Sequence, residues 1–485
     1  MRASCFTIPL SLALTLFLLP CAGASGIIGD PPVQQTASAL QTADPVPLME
    51  SSRPGPGPAD DPSAAASALL PTTIRLEAGQ YRLYRNDQPY YIKGVGGDRY
   101  LELAAAAGAN SVRPWGAHHA GKMLEEAQKL DMSVLVGFWL SHDAGHYERE
   151  EYRDKKFAEV REVVQRYKHH PALLMWSLGN EINLQGAGTP LAWQFVNELA
   201  EYIKSEDPDH PVITVISYDE TSMDLIACHA PQLDAVGINA YRSVSRVHEM
   251  VENSLFSGPY LITEWGVDGH WEVDKTTWGS PIEPTSTQKA QDYHRRYAEH
   301  ILANSDRCLG SYVFLWGQKQ ERTATWFSMF IENIPGYEIT QVSSPAVDVM
   351  GFNWSGAWPE NRAPEVTRMT INLSSAYDDI ALHPGQPLMA AVTAWDPEND
   401  RLTYLWELLE KPTDLGEGGA YERRPNRVGD MTTSSQPMVI LRAPQAPGFY
   451  RMFVYVFDEK GHVGTANVPF KVHPLQGIDT IADSR

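Results

Sequence analysis

Between residues 73 and 335 the chain alternates short, nearly uninterrupted apolar runs with stretches of helical periodicity, and this alternation limits the fold more than any other feature. The apolar runs fall at 90–95, 109–113, 133–139, 173–178, 211–216, 235–239, 260–263 and 311–316. Runs of this kind are expected of strands covered on both faces. Between them Met123, Leu124, Ala127 and Leu130 recur at helical spacing, as do Phe157, Val160, Val163, Val164 and Tyr167, and 192–204 reads likewise. Strand followed by helix, eight times over roughly 260 residues, predicts an α/β fold with a parallel sheet closed into a (β/α)8 TIM barrel.

The flanks read differently. Residues 1–24 predict a signal peptide: Arg2 is the positive start, 10–19 is a short apolar run, and Ala22-Gly23-Ala24 gives a cleavage site. A lipoprotein signal with Cys21 as acceptor is the alternative, disfavoured by Pro20. The chain is accordingly expected to be secreted or periplasmic. Residues 25–72 form a low-complexity Pro/Ala-rich linker, with a hairpin expected from Ile74 to Leu83. Past the barrel, assigned to 73–335, residues 336–363 read as a linking segment. Residues 364–475 show short alternating runs and turn signals, which predict a small all-β immunoglobulin-like sandwich. A barrel ending near Arg362 is therefore expected to keep its chemistry without the sandwich.

The formal net charge of -21 argues against nucleic acid or an anionic membrane as partner and fits a neutral substrate. No apolar run after the signal is long enough to predict a transmembrane segment. Outside the signal only Cys228 and Cys308 remain. Export permits a disulfide between them, but two buried free thiols are the simpler reading. His118, His119, His142 and His146 fall in different loops without ligand spacing, so no metal and no cofactor are expected.

Two carboxylates end buried runs: Glu181 follows Ser177-Leu178-Gly179-Asn180, and Glu264 follows Tyr260-Leu261-Ile262-Thr263. A parallel barrel gathers the C-terminal ends of its strands at one mouth, where catalytic groups sit. Burying a carboxylate there is unfavourable unless it has a partner or a task. Strands four and seven lie across the mouth from each other. Hydrolysis of a glycosidic bond with retention needs two carboxyl groups about 5 Å apart, one to protonate the leaving oxygen and one to attack the anomeric carbon.

Trp176-Ser177-Leu178-Gly179-Asn180-Glu181 resembles the strand-four motif of clan A glycoside hydrolases, families 2 and 5 in particular. Ile262-Thr263-Glu264-Trp265-Gly266 is similar to their strand-seven motif, and Asn110-Ser111-Val112-Arg113 and Asn239-Ala240-Tyr241 resemble those of strands two and six. The resemblance implies Glu181 as general acid/base and Glu264 as nucleophile. It further implies Asn180 on the sugar 2-hydroxyl, Arg113 and Tyr241 bracing the nucleophile, and Trp316 flooring the −1 sugar site. Family 2 enzymes usually carry β-sandwich domains ahead of the barrel, whereas here the sandwich follows it. Within the sandwich, Ala394-Trp395-Asp396-Pro397-Glu398-Asn399-Asp400-Arg401-Leu402-Thr403-Tyr404-Leu405-Trp406 and the hairpin at 448–461 resemble polycystic-kidney-disease-type immunoglobulin-like domains.

Aromatic rings stack on the C–H faces of sugars, so Trp115, Trp139, Trp265, Trp271, Trp278 and Trp326 are candidates for a binding cleft or for core. Of these Trp139 and Trp265, with His142 just past strand three, are taken as substrate contacts. The expected reaction is retaining hydrolysis of a β-linked glycan, β-glucan first, on a polysaccharide or oligosaccharide substrate. The same two glutamates would also serve a β-glucan transglycosylase. A non-catalytic glycan-binding barrel is disfavoured because both carboxylates are present.

Overall fold

The computed structural model describes residues 69–339, 342–416 and 422–474. The signal peptide and most of the Pro/Ala-rich linker lie outside them. A three-stranded antiparallel sheet comes first: β1 (Thr72–Glu77), β2 (Gln80–Arg85) and β3 (Gln88–Tyr90). The expected hairpin is β1 and β2, paired from Thr72↔Arg85 to Glu77↔Gln80. Ile74, Tyr81 and Leu83 pack with Ile92, Leu174, Ile213, Leu261 and Leu309, near the N-terminal ends of the barrel strands. The hairpin thus covers the barrel's bottom, away from the mouth.

Eight parallel strands then close a barrel: β4 (Ile92–Gly96), β5 (Ser111–Arg113), β6 (Ser133–Phe138), β7 (Leu173–Leu178), β8 (Val212–Ser217), β9 (Ala235–Asn239), β10 (Tyr260–Trp265) and β11 (Cys308–Val313). All eight runs read from sequence are strands. The last is displaced: β11 begins three residues before the expected 311–316 and ends at Val313. Helices α1 (Leu101–Ala106), α2 (Ala120–Lys129), α3 (Glu150–Tyr167), α4 (Pro190–Glu206), α5 (Glu220–His229), α6 (Val244–Asn253), α7 (Ser286–Arg296) and α8 (Pro345–Ser355) accompany the strands. The largest apolar cluster runs between strands and helices, with Trp176, Trp193 and Trp265 fully buried in it. Helix α8 lies inside the segment read as a link, 336–363. Its Trp354 and Gly351 abut Gly108 and Ala107 at the end of α1, so the barrel's last helix comes after residue 335.

Strands β12 (Phe330–Ile331) and β13 (Val342–Ser343) pair in a small sheet. Two further sheets follow: β14 (Glu365–Ile371), β16 (Pro387–Trp395) and β19 (Met438–Arg442) in one, and β15 (Ala381–Leu382), β21 (Val463–Val472), β20 (Gly448–Phe457), β17 (Thr403–Glu410) and β18 (Thr432–Ser434) in the other. Val366, Leu388 and Val392 of the first share a core with Trp406, Val454 and Phe470 of the second. This is the all-β sandwich expected from sequence.

Barrel and sandwich meet through buried polar groups. Glu283 Oε1 accepts from Lys289 Nζ at 2.5 Å and Thr325 Oγ1 at 2.8 Å; its Oε2 accepts from Thr323 Oγ1 and from the sandwich's Asn467 Nδ2, both at 2.7 Å. Burial alone would raise the Glu283 pKa, but the Lys289 and Arg451 charges and these donors hold it below the ordinary carboxylate value. Arg451 Nη2 donates to Pro281 O at 2.7 Å, and the backbone N–H groups of Val366 and Thr465 donate to Thr287 Oγ1 and Ser286 Oγ in the first turn of α7. Such contacts tie the sandwich into the folded core of the barrel.

Cys228 and Cys308 are not bonded to each other. Cys308 is buried, which pushes its thiol up to about 12, while Cys228 is half-buried. Among the described residues no helix is long and apolar enough to cross a membrane.

Candidate active site

The strand ends assemble the mouth. Arg113 ends β5, Asn239 ends β9, Glu264 is the penultimate residue of β10, and Asn180 and Glu181 lie just beyond β7. Glu264 is buried and receives three donors. Oε1 accepts from Arg113 Nη1 at 3.0 Å and from Trp115 Nε1 at 2.5 Å, and Oε2 accepts from Tyr241 OH at 3.3 Å. Burial, and then the charge of Glu264, raise the Tyr241 phenol well above its ordinary value, so it stays a donor.

Arg113 joins the two sides of the mouth. Its Nη1 also reaches Thr263 O at 2.8 Å, and its Nη2 donates to Asn180 Oδ1 at 2.7 Å. Asn239 Nδ2 donates to the same Asn180 oxygen at 3.2 Å, while its own Oδ1 accepts from Thr263 Oγ1 at 2.8 Å. Asn180 is therefore held by its oxygen, and its amide Nδ2 is the end left to meet a ligand.

Glu181 sits in a turn that few residues tolerate. Gly179 has φ +82° and Glu181 itself has φ +53°. A Cβ on Gly179 would lie 2.8 Å from Ile182 Cγ2, so glycine is required there. A non-glycine residue in the left-handed region is under strain, and such residues cluster at functional sites. Glu181 N donates to Val215 O at 2.9 Å, which pins the turn over β8. Burial first, and the neighbouring charge of Glu264 second, raise the Glu181 pKa to about 7, against the opposing pull of a hydrogen bond from Asn239 and the Arg113 charge. Two carboxyl groups, one ringed by donors and the other pushed towards its protonated form, are what acid and nucleophile roles require.

Of the residues expected at the site, Arg113, Asn180, Glu181, Tyr241 and Glu264 come together. His142 approaches as a brace: its Nε2 pairs with the backbone oxygen of Asn180 at 2.8 Å, supporting the Glu181 turn. Trp139 is 44% exposed beside Gly116 at the mouth. Trp265 is a correction. It is 0% exposed and packs on Tyr293 and Tyr297 in the helix layer, because neighbours in a strand face opposite ways and Glu264 takes the inward side. Trp316 is another. It is 1% exposed, donates from Nε1 to Tyr100 O and packs on Phe330 and Trp354.

The ring facing the mouth at the end of β11 is Phe314, which meets both Trp115 and Tyr241 edge-on at 5.8 and 5.9 Å. The remaining aromatic candidates divide. Trp271 is 51% exposed and stands edge-on to Tyr241, Trp326 is buried, and Trp278 stacks on Phe449 of the sandwich. Trp115, left undecided from sequence, proves a direct partner of Glu264, and Phe314 was not foreseen.

The loop after β11 walls the mouth. Lys319 Nζ lies 5.8 Å from the centre of the Phe314 ring and pairs with Glu321 at 2.6 Å. Glu321 also meets His270 Nε2 at 3.2 Å. Arg322 reaches His270 Nδ1 and is itself held by Glu422 of the sandwich, which accepts from its backbone N–H at 2.6 Å and from Nη1 at 3.1 Å.

Parts of the chain are similar to known proteins. A mannan endo-1,4-beta-mannosidase F of Aspergillus clavatus is 37% identical over 83 residues, 17% of this chain and 19% of that protein. A beta-glucuronidase of Rattus norvegicus is 27% identical over 198 residues, 36% of this chain and 28% of that protein. The match thus spans less than a third of either relative's length. Among solved structures, a family 2 beta-galacturonidase of Eisenbergiella tayi bound to galacturonate aligns with TM-score 0.43 and 18% identity over 59% of this chain and 55% of that one. Residues 125–307, which hold Glu181 and Glu264, match the family model of glycosyl hydrolases family 2, TIM barrel domain.

Proposed function

We propose that the protein is a retaining β-glycoside hydrolase. Glu264 attacks the anomeric carbon while Glu181 gives its proton to the departing glycosidic oxygen. Glu181 then takes a proton from water as that water displaces Glu264. The observation that carries this reading is the contrast between the two carboxyl groups: three donors face Glu264, and burial raises Glu181 to about 7. We further infer a neutral β-linked glycan, β-glucan first. Exposed Trp139 and Trp271 offer flat apolar faces to a sugar, and the cations at the mouth, Lys319 and Arg322, each already face a glutamate. Export as a secreted or periplasmic protein, with a polycystic-kidney-disease-type sandwich at the C-terminal side, belongs to the same proposal. It is supported by the leader-like start and by the sequence at 394–406.

The test is a hydrolysis screen over β-1,3-, β-1,4- and β-1,6-glucans, mannan and aryl β-glycosides, with Glu264→Gln in parallel. Release of shorter products by the wild type, and loss of turnover by several orders of magnitude in a folded Glu264→Gln variant, are expected. Products longer than the substrate would instead assign the same site to transglycosylation. A folded variant that keeps more than a few per cent of activity would remove Glu264 as nucleophile.

A further inference from the structure

At the seam between sandwich and barrel, on the side of the sandwich that carries the connector, three carboxylates converge. Asp396 follows β16, Asp400 lies in the turn before β17, and Asp458 follows β20. Each brings a ligand oxygen within 4.8 Å of the others. Much of the cluster is explained by local turns. Asp396 Oδ1 accepts the backbone N–H groups of Glu398 and Asp400, and Asp458 Oδ1 accepts those of Lys460 and His462. Lys460 pairs with Asp400 at 2.8 Å, and His462 Nδ1 with Asp458 Oδ2 at 2.7 Å. Asp396 is different. It is only 5% exposed, and its Oδ2 is buried without a hydrogen-bond donor. A buried carboxylate oxygen with no donor is unfavourable unless something positive meets it.

The same corner holds a second orphan oxygen. Asn361, in the connector between α8 and β14, donates from Nδ2 to Asp458 Oδ2 at 2.7 Å, while its Oδ1 is buried without a partner. The loop that follows Asp458 touches the barrel side too, since Ser343 N donates to Gly461 O. The oxygens thus come from two loops of one sandwich and lie against the chain that ties it to the barrel.

We propose that Asp396, Asp400 and Asp458 form a site for one divalent cation of the calcium class. The donors are hard oxygens, all carboxylate, carried on two loops, and no sulfur or free imidazole is offered. That donor set suits Ca2+, which accepts irregular oxygen shells completed by water, better than Mg2+, which demands a tight octahedron. A cation here fastens the hairpin turns to each other and so stiffens the corner where Asn361 and Ser343 join the barrel. The proposal does not depend on the roles of Glu181 and Glu264.

The test uses the full chain stripped of metal with a chelator. Isothermal titration with CaCl2 is expected to show one site per chain, and thermal unfolding in millimolar Ca2+ to rise by about 3 °C or more, with a smaller rise in equal Mg2+. Asp396→Asn keeps the Oδ1 acceptor for both backbone N–H groups and replaces the orphan oxygen with an amide. It is expected to abolish the heat of Ca2+ binding and the thermal response, while melting no lower than the wild type in chelator. Asp400→Asn, at a less buried position, is the second variant if Asp396→Asn fails to fold, with the same loss expected. No binding of CaCl2 to the wild type, or an equal response to Mg2+ and Ca2+ that both variants retain, would overturn the proposal.

Discussion

Glu181 should weaken the fold at the pH where the proposed mechanism needs it. Its pKa rises from an ordinary 4.5 to about 7 in the folded chain, through burial first and the Glu264 charge second. Between those two values the folded protein holds a proton that the unfolded chain has released, so stability falls as pH rises through this window. Below pH 4.5 the effect is absent, and above pH 7 it is complete. A shift of that size corresponds to about 3 kcal/mol, an upper bound because Glu181 keeps part of its surface in water. Glu181→Gln keeps the shape and removes the titration. Urea unfolding from pH 4 to pH 8.5 should show the variant level with the wild type at pH 4 and more stable by about 1–3 kcal/mol at pH 8. On the proposed mechanism, the wild-type kcat/KM for an aryl glycoside with a poor leaving group should fall off near pH 7, and the variant should lose about 10²–10⁴ in rate on that substrate. Stability curves that stay parallel across the whole range would refute the reasoning, because Glu181 would then titrate alike in folded and unfolded chains.

Phe314→Ala should lower both stability and kcat/KM, since Phe314 is buried against Trp115, Tyr241 and Phe327 beside the glutamates, whereas Trp316→Ala should lower stability by about 3–5 kcal/mol and change kcat/KM of the folded protein much less; calorimetry and kinetics on both variants compare the two. Tyr241→Phe should leave Glu264 one donor short and slow formation of the glycosyl-enzyme about tenfold or more, read from burst kinetics. Arg451→Met should cost about 3 kcal/mol or more by leaving Glu283 with a weakened partner set, and a chain ending near Arg362 should melt well below the full protein in differential scanning calorimetry. A truncated barrel with full thermal stability would show that the seam contributes little. In Glu181→Ala, azide should restore turnover and give a β-configured glycosyl azide by NMR, and an α-azide would exclude Glu264 as nucleophile.

The barrel was legible because its strands are covered on both faces, which leaves long apolar runs between helical stretches. The carboxylates were legible because each terminates such a run. The eighth strand misled for a physical reason. Tyr312, Phe314 and Trp316 alternate like strand residues, but the chain leaves the sheet after Val313, so the residue at the mouth is Phe314. Trp265 could have been excluded from the cleft by strand alternation alone, given Glu264 on the inner face. Trp115 carries no local sign of its bond to Glu264, since that bond spans 149 positions of chain. The seam is more hidden still: Glu283 and Asn467 are 184 residues apart, and each alone reads as an ordinary polar residue.

The grip of Arg113 has a stereochemical consequence. One planar guanidinium holds Glu264 with one nitrogen and Asn180, the neighbour of Glu181, with the other. Whether a sugar leaves with its configuration kept or turned over depends on the gap between the two carboxyl groups, which retention needs narrow and inversion needs wide enough for a water. The strand ends that carry the two carboxyl groups are tied together, from Glu264 to Asn180, by a rigid fork that a lysine could not copy, since an ammonium is a single point of charge on a flexible stem. On the proposed mechanism, the handedness of the product thus depends on a residue that never touches the bond being broken.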